Sequence, residues 1–593
     1  MYILGISCYY HDAAAALLKD GILIAAAEEE RFTRKKHDSG FPKKAVEFCL
    51  AQAGITAKDL DYAVFYEKPF RKFERILMTN LATYPTGWQV FSESMLTWFN
   101  EKLWIKTEIL DKLQLSAEKL LFVEHHLSHA ASAFFCSPYN EAAILTVDGV
   151  GEWTTTTVGK ATANWNDKGE NKITLFSDIR FPHSLGLLYS AFTAWLGFEV
   201  NDGEYKVMGM APFGEPKYAE DVYKMIEVAA DGSFRLRMEY FDFHHSTRRT
   251  YSNKFLSVFG KERKHESEFF TGKTHPTRQG ELKTIENQRY ADIAASIQFV
   301  TEEILLKMAA HAHKVTGSRK LCIAGGVGLN SVANGRLVAE TPFEDVYIQP
   351  AAGDSGGAVG AALYAYHVVL GQPRKFVMEH AYWGQGYSPD EIKNFLDKES
   401  VAYERVENEE KLFDQVVDTI TQGRVVGWMQ GRFEWGPRAL GNRSILADPT
   451  RAEMKDIVNT KIKFREPFRP FAPVVLEEKS AEYFKLDQPH KHFPARYMLL
   501  VADIPEDKQK SIPAVTHVNG TGRLQTIKRE TNPWYYRVVE KFGERTGVPV
   551  LLNTSFNLRG EPIVNTPANA FSTFSRSDID MLVMENFVVR KKN

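Results

Sequence analysis

The chain opens on short apolar runs punctuated by turn residues. Tyr2-Ile-Leu-Gly-Ile-Ser7, Ala13-Ala-Ala-Ala-Leu-Leu18 and Ile22-Leu-Ile-Ala-Ala-Ala27 are separated by segments containing His11-Asp12 and Asp20-Gly21. Runs of this length bounded by turn signals predict strands, and Asp-Gly predicts a tight hairpin between the second and third. The pattern returns at Glu141-Ala-Ala-Ile-Leu-Thr-Val-Asp148, a strand ending in an acidic turn. Leu321-Cys-Ile-Ala-Gly-Gly-Val-Gly-Leu-Asn330 reads as a buried strand delivering a glycine turn to a helix, and Asp354-Ser-Gly-Gly-Ala-Val-Gly-Ala-Ala362 has the same character. Glycines at such turns let backbone amides approach phosphates, although tight strand–helix packing uses the same residues. Between residues 69 and 106, Trp88, Phe91, Met95, Trp98 and Trp104 recur at helical spacing. A packing face explains this stripe, and a hydrophobic lid or acceptor surface is the alternative.

A chain of 593 residues is too long for one core, so two large domains are expected. Composition shifts across residues 371–390, which places the boundary there, and beyond it Val425-Val-Gly-Trp-Met-Gln430 starts a new strand pattern. The net charge of −2 offers no broad attraction to nucleic acid or an anionic membrane. No uninterrupted apolar run is long enough for a membrane span, and the N-terminus lacks a basic segment followed by a long apolar one. Cys8, Cys49, Cys136 and Cys322 are scattered and form no Cys-x-x-Cys. A reducing cytoplasm is the compartment these features predict.

Residues 124–132, Glu-His-His-Leu-Ser-His-Ala-Ala-Ser, carry the sharpest chemistry. His125 and His129 are four apart, so on a helix they share one face, one turn apart, and two imidazoles so placed can grip a divalent metal. Satisfied core histidines are the bland alternative. Asp148 and Asp354, each in a glycine-rich turn, are candidates to complete the ligand set. Two nitrogens and two carboxylates suit Fe(II), Zn(II) or Mn(II), and the donor set does not choose among them.

The opening hairpin resembles the one with which ATP-handling folds of the actin, sugar-kinase and Hsp70 type begin each half. A wider set of motifs carries a more specific resemblance. These are His11-Asp12-Ala-Ala-Ala-Ala-Leu, Glu28-Glu-Glu-Arg-Phe-Thr-Arg-Lys-Lys-His37, His125-His-Leu-Ser-His-Ala-Ala-Ser-Ala133, Lys206-Val-Met-Gly-Met-Ala211 and Gly325-Gly-Val-Gly-Leu-Asn330. They continue with Gly436-Pro-Arg-Ala-Leu-Gly441, Phe468-Arg-Pro-Phe-Ala-Pro473 and Leu552-Asn-Thr-Ser-Phe-Asn557. In this order, over nearly the whole chain, they resemble the O-carbamoyltransferases of the NodU/CmcH type, a family of nodulation-factor and antibiotic-tailoring enzymes.

The resemblance implies an α/β protein. An N-terminal actin-like ATPase domain (ASKHA, tRNA threonylcarbamoyl-transferase-like), residues 1–370, would be followed by a YrdC-like α/β domain, residues 380–593. The second domain would make carbamoyl-adenylate from carbamoyl phosphate and ATP, with Mg accompanying the nucleotide. The first would transfer the carbamoyl group to a hydroxyl of a small-molecule acceptor. His11 matches the general base and Asp12 its orienting partner. His125, His129, Asp148 and Asp354 match the metal ligands. Lys206, Gly209, Gly325, Gly326, Asn330 and Asp354 would hold the nucleotide in the first domain. In the second domain Lys463 and Arg469 would be catalytic. Arg438, Arg443, Arg523, Asn553, Ser555 and Arg559 would join them around carbamoyl phosphate and ATP. Arg438 and Arg469 sit among Gly, Pro, Phe and Ala, which is unusual for a solvated basic face.

Other readings explain less. A tRNA threonylcarbamoylation enzyme uses both domain types, but the charge of −2 and the lack of an evident basic groove weigh against a tRNA substrate. A hydrogenase-maturation carbamoyltransferase would carry Cys-x-x-Cys zinc fingers, absent here. A sugar kinase leaves residues 380–593 without a role, and a nucleotide-gated binding protein does not need both residue sets. The acceptor is expected to meet the aromatic stretch 69–106 or the segment 235–275, with Phe241, Phe243, His244 and His245. A homodimer is the commonest symmetric arrangement.

Overall fold

The computed structural model describes residues 1–100, 102–165, 170–265, 267–488 and 491–591. The chain divides into two compact units, Met1–Ala25 with Ser39–Val377, and Ala26–Asp38 with Met378–Asn593.

The first unit is built on two five-stranded sheets. One contains β1 (Tyr2–Ser7), β2 (Ala14–Lys19), β3 (Ile22–Glu28), whose last residues belong to the second unit, β4 (Tyr62–Phe65) and β5 (Leu120–Phe122), in the order β3-β2-β1-β4-β5. The other contains β6 (Glu141–Val147), β7 (Thr154–Thr162) and β8 (Lys172–Arg180). After a small separate hairpin of β9 (Ile226–Val228) and β10 (Phe234–Leu236), it adds β11 (Lys320–Ala324) and β12 (Asp345–Ile348), giving the order β12-β11-β6-β7-β8. Each sheet is thus an antiparallel meander followed by two strands added in parallel. This duplication is the actin-like ATPase architecture. The first meander turns at Asp20-Gly21, both with positive φ (52° and 82°), as a two-residue hairpin matching the strand twist requires.

Apolar runs without alternation become strands buried on both faces. Ile3, Leu4, Ile6, Leu17 and Leu18 are fully buried, as are Leu321, Cys322, Val147 and Leu145. The helix Asp354–Tyr364 packs against β1, β2 and the helix His125–Phe134. A 35-residue helix, Leu282–Thr316, lies on β6 and β7.

The second unit holds a nine-stranded mixed sheet. Its strands are β13 (Glu404–Arg405), β14 (Val426–Met429), β15 (Arg443–Ala447), β16 (Ala472–Leu476), β17 (Leu500–Asp503), β18 (Thr521–Ile527), β19 (Val550–Ser555), β20 (Met581–Met584) and β21 (Phe587–Arg590). Their order is β13-β21-β20-β14-β15-β19-β16-β18-β17. The amphipathic helices Glu409–Thr421 and Pro533–Thr546 bury Phe413, Val416, Val417, Val538, Val539 and Phe542 in one core with Trp428 and Val474. Among the described residues, all four cysteines are buried and none forms a disulfide, and no helix is long and apolar enough to cross a membrane.

Candidate active sites

In the first unit, the four sequence-predicted metal ligands converge. His125 and His129 stand one turn apart on the helix His125–Phe134, their Nε2 atoms 3.0 Å apart. His125 Nε2 lies 3.3 Å from Asp148 Oδ2 and 3.5 Å from Asp354 Oδ1. His129 Nε2 lies 3.6 Å from Asp354 Oδ1 and 4.0 Å from Asp148 Oδ2. Ligand bonds of about 2.0–2.2 Å place tetrahedral donor atoms roughly 3.4 Å from one another, and the observed separations bracket that spacing. Both carboxylate oxygens of Asp354 are buried without a hydrogen-bond partner among the described residues. Buried carboxylates left this way call for a cation. The donor set therefore fits a divalent metal.

The local fold explains the convergence. Asp148 follows the last residue of β6, where a strand end aims its side chain out of the sheet, and Gly326 N–H donates to its Oδ1 at 2.8 Å. Gly325 adopts φ 95°, and a Cβ there would lie 2.2 Å from the Val147 carbonyl oxygen, so only glycine passes beneath the strand end. Asp354 is the first residue of its helix. That helix meets the histidine helix backbone to backbone, because a Cβ on Gly360 would fall 1.8 Å from Ser128 O. Glu152 closes the N-terminus of the histidine helix by accepting from His125 N–H at 3.0 Å.

The adjacent histidines His125 and His126 are shifted in opposite directions. Burial opposes a charge on His125, but Asp354 and Asp148 outweigh it and push its pKa up to about 9. Burial, with His125 and His129 beside it, drives His126 down to about 3. The His126 ring is held between Thr146 Oγ1 (2.6 Å) and the Thr154 carbonyl (2.9 Å), so it joins the helix to β6 and β7 and leaves the ligand set. Asp148 is held well below the usual carboxylate range, against its burial, by His125 and His129.

His11 and Asp12 lie beside this cluster. His11 Nδ1 is 2.7 Å from Asp12 Oδ2, and its Nε2 is 3.7 Å from Asp354 Oδ2. Burial again opposes the charge, but Asp12 and Asp354 raise His11 to about 9.

The predicted nucleotide residues of this unit are placed less uniformly. The Gly325-Gly326 turn adjoins Asp148, and a Cβ on Gly353 would lie 3.9 Å from Gly326 Cα. Asn330 caps the helix Ser331–Glu340 through Ala333 N–H and exchanges two hydrogen bonds with the Gln298 amide. Lys206 and Gly209 lie on the helix Glu204–Met210, with Lys206 Nζ 5.6 Å over the Phe198 ring. In the acceptor candidates, Phe241 is fully buried, and the His244 and His245 rings pack 4.3 Å apart next to Asp242. Along the aromatic stretch Met95 and Trp98 are buried, whereas Trp88 and Trp104 are exposed.

In the second unit, Lys463 and Ser555 come together. Buried Lys463 donates from Nζ to Ser555 O (2.5 Å), Ser555 Oγ (3.1 Å), Asn557 Oδ1 (2.6 Å) and Asn557 O (3.0 Å). None of these acceptors carries a charge. Burial, with Arg465 and Arg469 nearby, holds its pKa well below the usual lysine value. Arg469 pairs with Glu466 at 2.8 Å, and Arg559 lies 3.9 Å from the same carboxylate. Arg523 sits on β18 and, after burial, is the main charge holding His517 down to about 3.

Two residues predicted here serve the framework. Arg443 is fully buried, and its guanidinium donates to the carbonyls of Gln430, Gly431, Asn442, Gln385 and Asn565. Asn553 donates to Ala439 O and to Gln525 Oε1, tying the Arg438 loop to β18.

Sequence reasoning missed Glu434 and Asn557. Glu434 Oε1 gathers the backbone N–H groups of Leu440, Asn442 and Arg443, which curls the Gly-Pro-Arg-Ala-Leu-Gly loop around one carboxylate. It also missed that residues 26–38 belong to this unit. Gly436 N–H donates to Glu28 at 2.8 Å, Arg31 donates to Gly436 O at 2.6 Å, and Arg34 donates to Pro562 O and Ile563 O at 2.7 and 2.6 Å. Lys36 contributes to the positive field at Lys463. The run of charges at 28–37 was the available signal.

Comparison with known proteins identifies the family. Residues 2–363 match the model of the carbamoyltransferase N-terminus, and residues 417–591 that of the carbamoyltransferase C-terminus. An uncharacterised protein of Synechocystis is 48% identical, covering 100% of this chain and 97% of its own. The nodulation protein NolNO of Sinorhizobium fredii is 36% identical over 98% of this chain and 79% of its own. A 3'-hydroxymethylcephem-O-carbamoyltransferase of Amycolatopsis lactamdurans is 36% identical over 46% of this chain and 49% of its own. Among solved structures, HypF of T. kodakarensis is similar at 15% identity and a TM-score of 0.30, covering 63% of this chain and 48% of that one. The chain belongs to the carbamoyltransferase family, and it is an enzyme of that class.

Proposed function

We propose that this carbamoyltransferase is ATP-dependent and works in two half-reactions. In the second unit, read as YrdC-like, carbamoyl phosphate, ATP and water give carbamoyl-adenylate, phosphate and pyrophosphate. In the first unit a hydroxyl of a small-molecule acceptor attacks the carbamoyl carbon, and AMP leaves. The observation that carries this reading is the buried quartet His125, His129, Asp148 and Asp354 beside the His11–Asp12 pair, in a chain of this family. The hydroxymethyl acceptor in the name of the cephem relative supports a hydroxyl as the nucleophile.

Asp12 holds the proton on His11 Nδ1; with the pKa raised to about 9, Nε2 sheds its own proton toward alkaline pH, and in that form it accepts the proton of the attacking hydroxyl. Asp354, 3.7 Å from that nitrogen, favours the imidazolium that results. A divalent cation on the four ligands, Fe(II) first and Zn(II) or Mn(II) as alternatives, would supply Lewis-acid polarisation of the carbamoyl oxygen or the adenylate phosphate. In the second unit, the buried Lys463 amine meets neutral acceptors among the described residues, so a phosphate beside it would favour its charged form and offset the cost of burying that charge. Arg469 and Arg559, already oriented by Glu466, would complete the anion clamp.

The test is pyrophosphate release from ATP and Mg without acceptor. Strict dependence on carbamoyl phosphate is expected. ATP turnover to ADP, or none, would sink the adenylate route.

A further inference from the structure

The mechanism leaves one buried ion pair unused. Glu67 and Lys72 are 2% and 4% exposed and pair at 2.7 Å, at the entry to the helix Pro69–Ala82. Both sit behind the quartet of two histidines and two aspartates. His125 Nδ1 is buried with no hydrogen-bond partner among the described residues, and Glu67 Oε2 lies 4.0 Å from it. If Nε2 gives its lone pair to a cation, the ring proton must sit on Nδ1, and a buried donor needs an acceptor. About 1 Å of ring movement brings it within hydrogen-bond distance of Glu67.

The same helix braces His125 from a second side. Arg75, one turn after Lys72, donates to Gly151 O at 2.6 Å. Gly151 packs on the imidazole so closely that a Cβ there would lie 3.0 Å from the ring. Lys72 also reaches the base, with its Nζ 4.9 Å over the Tyr10 ring, and Tyr10 packs 4.7 Å from His11.

We propose that Glu67, locked by Lys72, is the positioning residue of the metal site, fixing the tautomer and orientation of His125 through its Nδ1–H. This rests on the metal reading given above. Outer partners of metal-bound histidines are typically worth 10- to 100-fold in metal affinity.

The experiment uses the full chain stripped with a chelator and titrated with Co(II) against a chromophoric competitor. It reads the dissociation constant, the visible d–d spectrum and the thermal midpoint. Glu67→Gln keeps the side-chain volume and is expected to weaken Co(II) roughly 10- to 100-fold and to alter the spectrum. Lys72→Met leaves Glu67 buried and unpaired, so its thermal midpoint falls. In Glu67→Gln/Lys72→Met the midpoint recovers while Co(II) binding stays weak, because stability and metal positioning separate. Wild-type affinity in Glu67→Gln, alone or with Lys72→Met, overturns the proposal and leaves the metal reading standing. Wild-type protein that binds Co(II) no more tightly than His125→Ala overturns both.

Discussion

Side chains of one type do different work within a few residues of each other. His125 and His129 face two carboxylates and carry the donor atoms. His126, between them in sequence, is kept neutral by its burial beside the other two imidazoles, while Thr146 Oγ1 and the Thr154 carbonyl hold its ring in place. The i, i+4 spacing made the first pair legible, since positions one turn apart share a face. The fate of His126 depended on Thr146 and Thr154, and the partners on adjacent strands were not readable from local pattern. Arg443 and Lys463 give the opposite lesson. Both are buried bases in motif-like segments, yet Arg443 is saturated by backbone carbonyls while Lys463 has neutral acceptors and two arginines nearby. Substitution separates the two reactions at this scale. Lys463→Ala or Arg469→Ala should reduce carbamoyl-dependent pyrophosphate release at least about 100-fold while leaving transfer from supplied carbamoyl-adenylate. His11→Asn should lower transfer by about 10²–10⁴ and spare pyrophosphate release, as removal of a general base does. Loss of the same half-reaction in both variants would refute the assignment of separate sites.

Elements were more legible than the contacts between them. The expected run Tyr2–Ser7 is β1, and the runs around the Asp20-Gly21 turn are β2 and β3. The strand from Glu141 ends at Val147, and Asp148 follows it as the acidic turn expected. These succeed because turn chemistry and an apolar run suffice to specify a buried strand. The glycines of residues 354–362 could not be resolved by pattern between ligand approach and packing. Gly357 abuts Tyr66 and Gly360 abuts Ser128 O, so packing is what these two provide. Gly360→Ala decides how much that matters. Alanine favours the helix by about 1 kcal/mol, but its Cβ would fall 1.8 Å from a backbone oxygen that cannot rotate away. Overpacking of this kind costs about 1–3 kcal/mol or more. The clash should win, so a net loss of stability is expected in chemical denaturation, together with weaker Co(II) binding as Asp354 moves off the histidines. An unchanged or higher midpoint would mean that the two helices separate without cost.

At the scale of the molecule, the first unit repeats one pattern twice, a meander plus two parallel strands, and that repeat was visible as a second apolar strand ending in an acidic turn. The second unit was not so legible, because thirteen of its residues, Ala26–Asp38, come from the beginning of the chain. Strand prediction follows Ile22–Ala27, but nothing local says that the charged run after it serves a sheet formed some 400 positions later. Its anchoring is specific. Glu28 and Arg31 are buried and hold both backbone groups of Gly436, at the entry to the Arg438 loop. Arg34 holds two carbonyls just beyond Arg559. A fragment of residues 378–593 therefore lacks the partners of the loops that carry Arg438 and Arg559. Each lost charge-assisted bond is worth about 1.5–3 kcal/mol, so the sum approaches the whole stability of an ordinary domain. Expressed alone, that fragment should melt well below the full chain and release little pyrophosphate. Joining residues 26–38 to it by a flexible linker should restore both, and Arg34→Ala in the joined fragment should remove part of the gain. A fragment without residues 26–38 that melts and turns over like the full chain would show that the charged run only passes by the second unit, and that the Arg438 loop holds its shape through Glu434 alone.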